Sequence, residues 1–310
     1  MKEIVKIAIF MAAYLGFPLI SKSQQTALFS EYNYVPFWVN PAFASVTDGT
    51  EISISNHGYI KAIEGSPKTY SLGFNAPLAL NNLGIGAVVR RDKIGVTNST
   101  NAYAALSYKI NFGAGNNRSY MRTPYWRAYN QKVFSFGMTA GFQQYEENLL
   151  ELGLDDDPEF SENLRASIPV IGVGFLYNTA DFFIGLSSPN LLSSFVAEDS
   201  NINFSNPIYG YIGYRYLFGN YSPMMLKPSF LLKYELGAPV QIDTNLSLSF
   251  ANKFEIGAGY RSTSSINLLA GVYALNHLRL IYQHNVGVKN SFLGNSHGVT
   301  LTYFLNEIEH

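Results

Sequence analysis

Five histidines (57, 277, 284, 297 and 310), 22 acidic side chains and no cysteine are the first candidates for chemistry in this chain of 310 residues. The missing cysteines exclude disulfide staples and thiolate metal sites. The histidines do not cluster in sequence. His277 and His284 fall in one short segment, but at an odd spacing they face opposite sides of an extended chain. His297 has serine neighbours, yet a triad is defined by geometry and not by adjacency. The densest acidic run holds Glu146, Glu147, Glu151, Asp155, Asp156, Asp157, Glu159 and Glu162, with no base until Arg165. It lacks the glycine and the ligand spacing of a calcium loop, so it reads as a solvated loop. No G-x-S-x-G, H-E-x-x-H or phosphate-loop motif occurs. "GIGAV" (84–88) and "GVGF" (172–175) sit inside alternating segments, where crowding or a kink explains glycine better than a nucleotide does. The expectation is no enzyme, no cofactor and no metal.

Recognition chemistry is richer. "FSEYNYVPFWVNPAFAS" (29–45) carries Phe29, Tyr32, Tyr34, Phe37, Trp38 and Phe43 beside Pro36 and Pro41, with neither a helical stripe nor a clean alternation. Residues 111–130 interleave Arg118, Arg122 and Arg127 with Tyr120, Tyr125, Trp126 and Tyr129. Arginine among tyrosine and tryptophan is hot-spot chemistry for protein partners. It is equally the composition of an interfacial aromatic belt. The candidate partner-binding residues are Phe29, Tyr32, Tyr34, Phe37, Trp38, Asn40, Pro41, Phe43, Arg122, Tyr125, Trp126 and Arg127.

The elements that must position them belong to an exported protein. Lys2 and Lys6, the apolar run 7–20 and the small residues Ser21 and Ser23 predict a signal peptide over 1–23, cleaved before Gln24. The run is too short to span a bilayer core comfortably. Charged residues are 14% of the chain, against a usual figure of about 25%, and aromatics are 15%. Without Lys2, Lys6, Lys22 and Glu3 the formal charge of −1 becomes −3, which argues against nucleic acid as a partner. No later stretch approaches the roughly 20 apolar residues of a membrane helix.

What does recur is period-2 alternation. "KTYSLGFNA" (68–76) puts Tyr70, Leu72 and Phe74 on one face and Thr69, Ser71, Gly73 and Asn75 on the other. "TNLSLSF" (244–250) and "SINLLAGVY" (265–273) repeat the pattern. Such runs lie at 50–59, 67–77, 83–92, 99–110, 131–145, 168–179, 181–188, 204–217, 226–236, 240–250, 252–261, 264–273, 276–286 and 295–304. Twelve and sixteen are the neighbouring even counts. A soluble sandwich or propeller shares the alternation, but low charge and tyrosine-rich faces fit it poorly, and there is no blade-length repeat.

The reading is an all-β chain: a transmembrane antiparallel outer-membrane β-barrel of about 14 strands over 50–304, with a tail at 305–310. With the N-terminus in the periplasm, the short links at Ala180, Ala251 and Leu275 are periplasmic turns. Residues 146–167 and 189–203 then become outward loops, and 111–130 a long link on the periplasmic side. Segment 24–49 cannot be a lipid-facing strand, because its prolines interrupt a ladder. Its aromatics must still leave water, either as a lumen plug or, with 111–130, as a periplasmic dock.

Several motifs in order resemble the PorP/SprF family of type IX secretion system outer-membrane proteins. They are Asn40-Pro41-Ala42-Phe43-Ala44, "EGSPKT" (64–69) followed by a strand and "PL" (77–78), "RDKIG" (91–95), "LKPSFLLKY" (226–234), "IGAGYRS" (256–262) and "NSHGVTLTYF" (295–304). The match covers essentially the whole mature chain. Departures are His57 and Tyr59 where members commonly carry Arg and Trp, Gly298 where many carry Glu, and a longer 111–130 loop. The resemblance implies a non-enzymatic barrel, integral to the lipid bilayer, working with the type IX translocon of gliding or secreting Bacteroidetes. It implies partners of two kinds: periplasmic ring lipoproteins, and the C-terminal domain of large secreted surface proteins whose export or attachment the barrel supports. The alternative is an outer-membrane porin or small-substrate channel, which small polar lumen-facing positions allow.

Overall fold

A computed structural model describes residues 30–46, 49–59, 65–78, 82–114, 131–153, 161–191, 206–218, 224–262, 265–275, 277–288 and 294–305. In it the alternating runs pair into one up-and-down sheet. The strands are β1 (Glu51–Tyr59), β2 (Lys68–Pro77), β3 (Leu83–Ile94), β4 (Thr97–Ala114), β5 (Gln131–Glu147), β6 (Leu164–Asn178), β7 (Phe182–Ser188), β8 (Ile208–Tyr214), β9 (Tyr216–Phe218), β10 (Met224–Tyr234), β11 (Gln241–Phe250), β12 (Phe254–Arg261), β13 (Ser265–Ala274), β14 (Leu278–Gly287) and β15 (Ser296–Phe304). Neighbours pair antiparallel, and β15 closes back onto β1, so no edge is left unpaired. β8 and β9 are one strand interrupted at Arg215, since Gly213 faces Ser229 and Tyr216 faces Leu226 in a single register on β10. Around the barrel there are thus fourteen strands.

Several boundaries differ from the sequence reading. β4 runs on to Ala114, because Ile110 and Phe112 continue its outward apolar face. β5 reaches Glu147 and β6 begins at Leu164, because the acidic residues at the loop's edge still pair across the ladder, Glu146 with Arg165 and Glu147 with Leu164. His277 lies in the turn before β14 and not on the strand. The turns at Ala251 and Leu275 are tight enough to hold these non-glycine residues at φ 49° and 55°.

The two faces divide as the period demands. Ile54, Leu72, Val89, Leu106, Ile184, Leu246, Ile256 and Leu268 point outward and are exposed. Aromatics collect in two outward girdles. Tyr108, Tyr214, Tyr216, Phe254 and Tyr303 lie toward the rim that carries the start of β1 and the end of β15. Tyr70, Phe142, Tyr234 and Tyr260 lie toward the opposite rim. An apolar band between aromatic girdles is what a bilayer selects. No described helix is long and apolar enough to cross a membrane, and the crossing is made by strands. Eight strands would fill their interior with side chains and sixteen would leave a channel. Fourteen leave room for a chain segment, and residues 30–46 occupy it.

Candidate functional site

The segment Ser30–Val46 is built from three 3-10 turns, Ser30–Asn33, Pro36–Trp38 and Pro41–Ser45. Each proline supplies a fixed φ at the first position of its turn, where no hydrogen bond is lost. Asn40 caps the last turn: its side chain accepts from the Ala42 N–H at 3.0 Å and donates from Nδ2 to the Phe175 carbonyl, also at 3.0 Å. One amide thus starts the turn and ties it to β6.

The segment touches inward faces all the way round, which only a chain inside a closed barrel can do. Ser55 on β1 donates to Glu31 (3.1 Å), and Tyr103 on β4 donates to the Trp38 carbonyl (3.1 Å). Ser135 on β5 donates to the Ala42 carbonyl (2.7 Å), and Ser187 on β7 to the Val39 carbonyl (2.6 Å). Across the lumen, Tyr211 on β8 and Ser229 on β10 both donate to Asn33. Tyr32 donates to Asp243 on β11, Tyr34 donates to Glu255 on β12, and Arg279 on β14 donates to the Tyr34 carbonyl.

The β2–β7 side has been cleared for this segment. A Cβ placed at Gly73 would lie 2.2 Å from Trp38 Nε1, at Gly86 2.2 Å from Phe37, and at Gly174 2.1 Å from Asn40 Oδ1. At Gly84 it would meet the Ala44 carbonyl oxygen at 2.3 Å, and at Gly137 the Ala42 nitrogen at 2.5 Å. The opposite side is held by charge instead. Asp243 is paired to Arg261 at 2.6 Å, and Glu255 to Lys227 at 2.7 Å with further donors from Ser247 and Tyr273. These carboxylates are satisfied by their own wall and merely accept one more bond from the segment. Burial pushes the Glu31 carboxyl above the usual carboxylate range, against the lowering pull of its own backbone, Arg90, Ser55 and Arg261.

Seven of the residues assigned to partner binding therefore lie inside the barrel. Tyr32, Tyr34, Phe37, Trp38, Asn40, Pro41 and Phe43 are all buried, with Phe43 edge-on to Phe183 at 5.9 Å. In this conformation their surfaces are spent on the wall, and none is offered to a protein partner. Phe29, Arg122, Tyr125, Trp126 and Arg127 lie outside the described residues. The lumenal ion pairs were missed from sequence. Their signal was a charged residue in the polar phase of an alternating strand, such as Asp243 in "QIDTNL" or Glu255 in "FEIGAG".

Among the described residues, His57 lies between a serine and an acid. His57 Nε2 lies 3.0 Å from Ser296 Oγ, and Nδ1 lies 3.8 Å from Glu31. The second distance is too long for a hydrogen bond. Asn285 donates to the serine and approaches the same Nε2, not the far nitrogen that a triad's third member must hold. Glu31, His57, Asn285 and Ser296 are all buried. Among the described residues no group of three His, Asp or Glu could hold a metal ion.

Residues 21–303 match the family described as type IX secretion system membrane protein PorP/SprF. The chain belongs to that family. Its place among PorP/SprF proteins, together with the closed barrel, makes it an outer-membrane component of type IX secretion. Curated proteins give no match. Among solved structures, a FadL homologue of Pseudomonas aeruginosa is 11% identical, with a TM-score of 0.45, covering 86% of this chain and 93% of that one. The P. putida toluene transporter TodX is 9% identical, with a TM-score of 0.44 and coverage of 86% and 93%. A mutant Rh. blastica porin is 8% identical, with a TM-score of 0.35 and coverage of 82% and 98%. What those proteins carry has no bearing on this PorP/SprF member.

Proposed function

We propose that this PorP/SprF protein is a non-enzymatic adaptor or anchor. In this reading it supports export or surface attachment of particular secreted proteins by engaging their C-terminal domain, as in gliding motility and adhesin anchoring. It works beside the translocon and the periplasmic ring lipoproteins. The observation that carries the reading is the lumenal segment, seated in a glycine cradle and bonded around the whole wall. A diffusion porin gains nothing from such a plug, whereas an adaptor needs a sealed barrel as a rigid membrane platform. The long link between Ala114 and Gln131 leaves from the same rim as the start of β1 and the end of β15. In this reading its arginine and aromatic residues, Arg122, Tyr125, Trp126 and Arg127 among them, supply the chemistry for docking.

Gentle detergent extraction from native outer membranes, followed by mass spectrometry of what co-purifies, tests this. The expected companions are ring lipoproteins or a very large surface protein retained through its C-terminal domain. A barrel that emerges alone and conducts ions in planar bilayers overturns the adaptor reading in favour of the porin.

A further inference from the structure

Outside the lumen, one lipid-facing patch breaks the neutral pattern of the barrel's outer face. On β2 and β3 the outward pairs change stepwise toward the rim opposite the start of β1 and the end of β15. Leu72 faces Val89, then Tyr70 faces Arg91, then Lys68 faces Lys93. Each step is about 6.8 Å along the strand. The side chains pass from hydrocarbon to aromatic and cation to two cations within two steps. All six point away from the lumen, and Lys68, Arg91 and Lys93 are exposed.

Two lysines directly opposite on one face have their Cβ atoms about 5 Å apart and repel. Nothing described nearby relieves them. The flanking outward positions are Gly58 opposite Lys68 and Asn98 opposite Lys93, both neutral. Asp92 turns the other way, into the wall's inner side, where Thr69 bonds it. Among the described residues, the outward acid Glu146, opposite Asn98 on the next strand, is within 3.9 Å of Arg165. Lys68 also has a prepared bed: a Cβ on Gly58 would touch its Cγ at 3.6 Å, so the aliphatic stem lies over the glycine and the ammonium reaches the rim.

Three cations with no described acid partner, set one step above an apolar band and a tyrosine, match a phosphorylated headgroup at the membrane interface. We propose that Lys68, Arg91 and Lys93 form a binding site for the phosphate of an outer-leaflet glycolipid of lipid A type. The leaflet assignment rests on loop length: the patch's rim carries the long links after β5 and β7, and the longer loops of such barrels face outward. The arginine supplies a planar fork to the phosphate, the lysines close over it, and Tyr70 rests at the level of the sugar. The site fastens the β2–β3 hairpin to the outer leaflet.

The test uses the full mature protein in detergent with native mass spectrometry and lipid titration. The probes are bis-phosphorylated lipid A, the same lipid dephosphorylated, phosphatidylglycerol, and inorganic phosphate. Lipid A alone should be retained. The variant Lys68→Gln/Arg91→Gln/Lys93→Gln should weaken it about a hundredfold. Lys132→Gln on the other rim should leave it unchanged. Equal retention of the dephosphorylated lipid, or a triple variant that binds as before while keeping its compact heat-modifiable band, overturns the site. Binding of inorganic phosphate with equal affinity makes it an anion site and overturns the lipid assignment. Orientation is read separately. In this cysteine-free chain, Val96→Cys in the β3–β4 turn should react with a membrane-impermeant maleimide on intact cells. Absence of labelling places the patch in the inner leaflet and refutes lipid A whatever the binding result.

Discussion

Adding one carbon at Gly84 and one at Gly137 sets the barrel wall against its lumenal segment. At Gly84 the new Cβ would sit 2.3 Å from the Ala44 oxygen and 2.5 Å from Ser45 Cα. At Gly137 it would sit 2.5 Å from the Ala42 nitrogen and the Pro41 carbonyl carbon. Ordinary contact begins at 3.4 Å, so about 1 Å of retreat is required at each site. The wall cannot retreat, because β3 and β5 are locked in ladders on both sides. The Pro41–Ser45 turn must move instead. Overpacking of this kind costs about 1–3 kcal/mol per site. Each kcal/mol or two changes the docked-to-undocked ratio by roughly 5–30-fold. Gly84→Ala/Gly137→Ala should therefore raise the undocked fraction by about a hundredfold, less than simple addition where the sites share one turn. Burial of Phe37, Trp38 and Phe43, at about 1.5–3 kcal/mol each, is what the double variant works against. The chain has two tryptophans, so in a Trp126→Phe background Trp38 is the sole tryptophan and can be excited selectively over the tyrosines. Acrylamide quenching of Trp38 should rise and its emission should shift red, while the heat-modifiable band persists. Bilayer conductance should rise with it. A folded double variant with unchanged quenching and conductance would refute the glycine-cradle reasoning.

Asn40→Ala removes the cap and the bond to Phe175, and should loosen the segment by about 0.5–2 kcal/mol in the same quenching assay, with Asn40→Asp restoring the cap acceptor but not the Nδ2 donor. Because burial raises the Glu31 carboxyl above its ordinary value of 4.5, docking should be strongest with that proton bound and weaken as pH climbs through the raised pKa. Glu31→Gln should flatten that profile; a wild-type profile already flat from pH 4 to 8 tells against it. Arg261→Met leaves the Asp243 carboxylate buried without its cation and should cost about 3–5 kcal/mol in urea unfolding. Arg261→Met/Asp243→Asn should recover most of that loss, and failure to recover would show that the pair matters for more than charge compensation.

The barrel was legible in the residues themselves. A period of two over ten-residue runs assigns a face to every side chain, and low charge with abundant tyrosine names the solvent of one face as lipid. Those are local properties, so strands as far apart as 68–77 and 265–274 can be recognised without knowing what lies between. The unsuitability of 29–45 as a strand was equally plain, since two prolines break any ladder.

Where that segment goes was not legible. Its seat is assembled from glycines on β2, β3, β5 and β6 and from hydroxyls on β1, β5 and β7, which closure alone brings to one place. Tyr32 and Asp243 are 211 residues apart, and no spacing rule spans that distance. The sequence by itself determined that the chain makes a lipid-facing closed sheet and that its early aromatics must leave water. Tertiary structure alone decided that they leave it for the lumen, because only a closed wall of matching glycines offers them close contact without a clash.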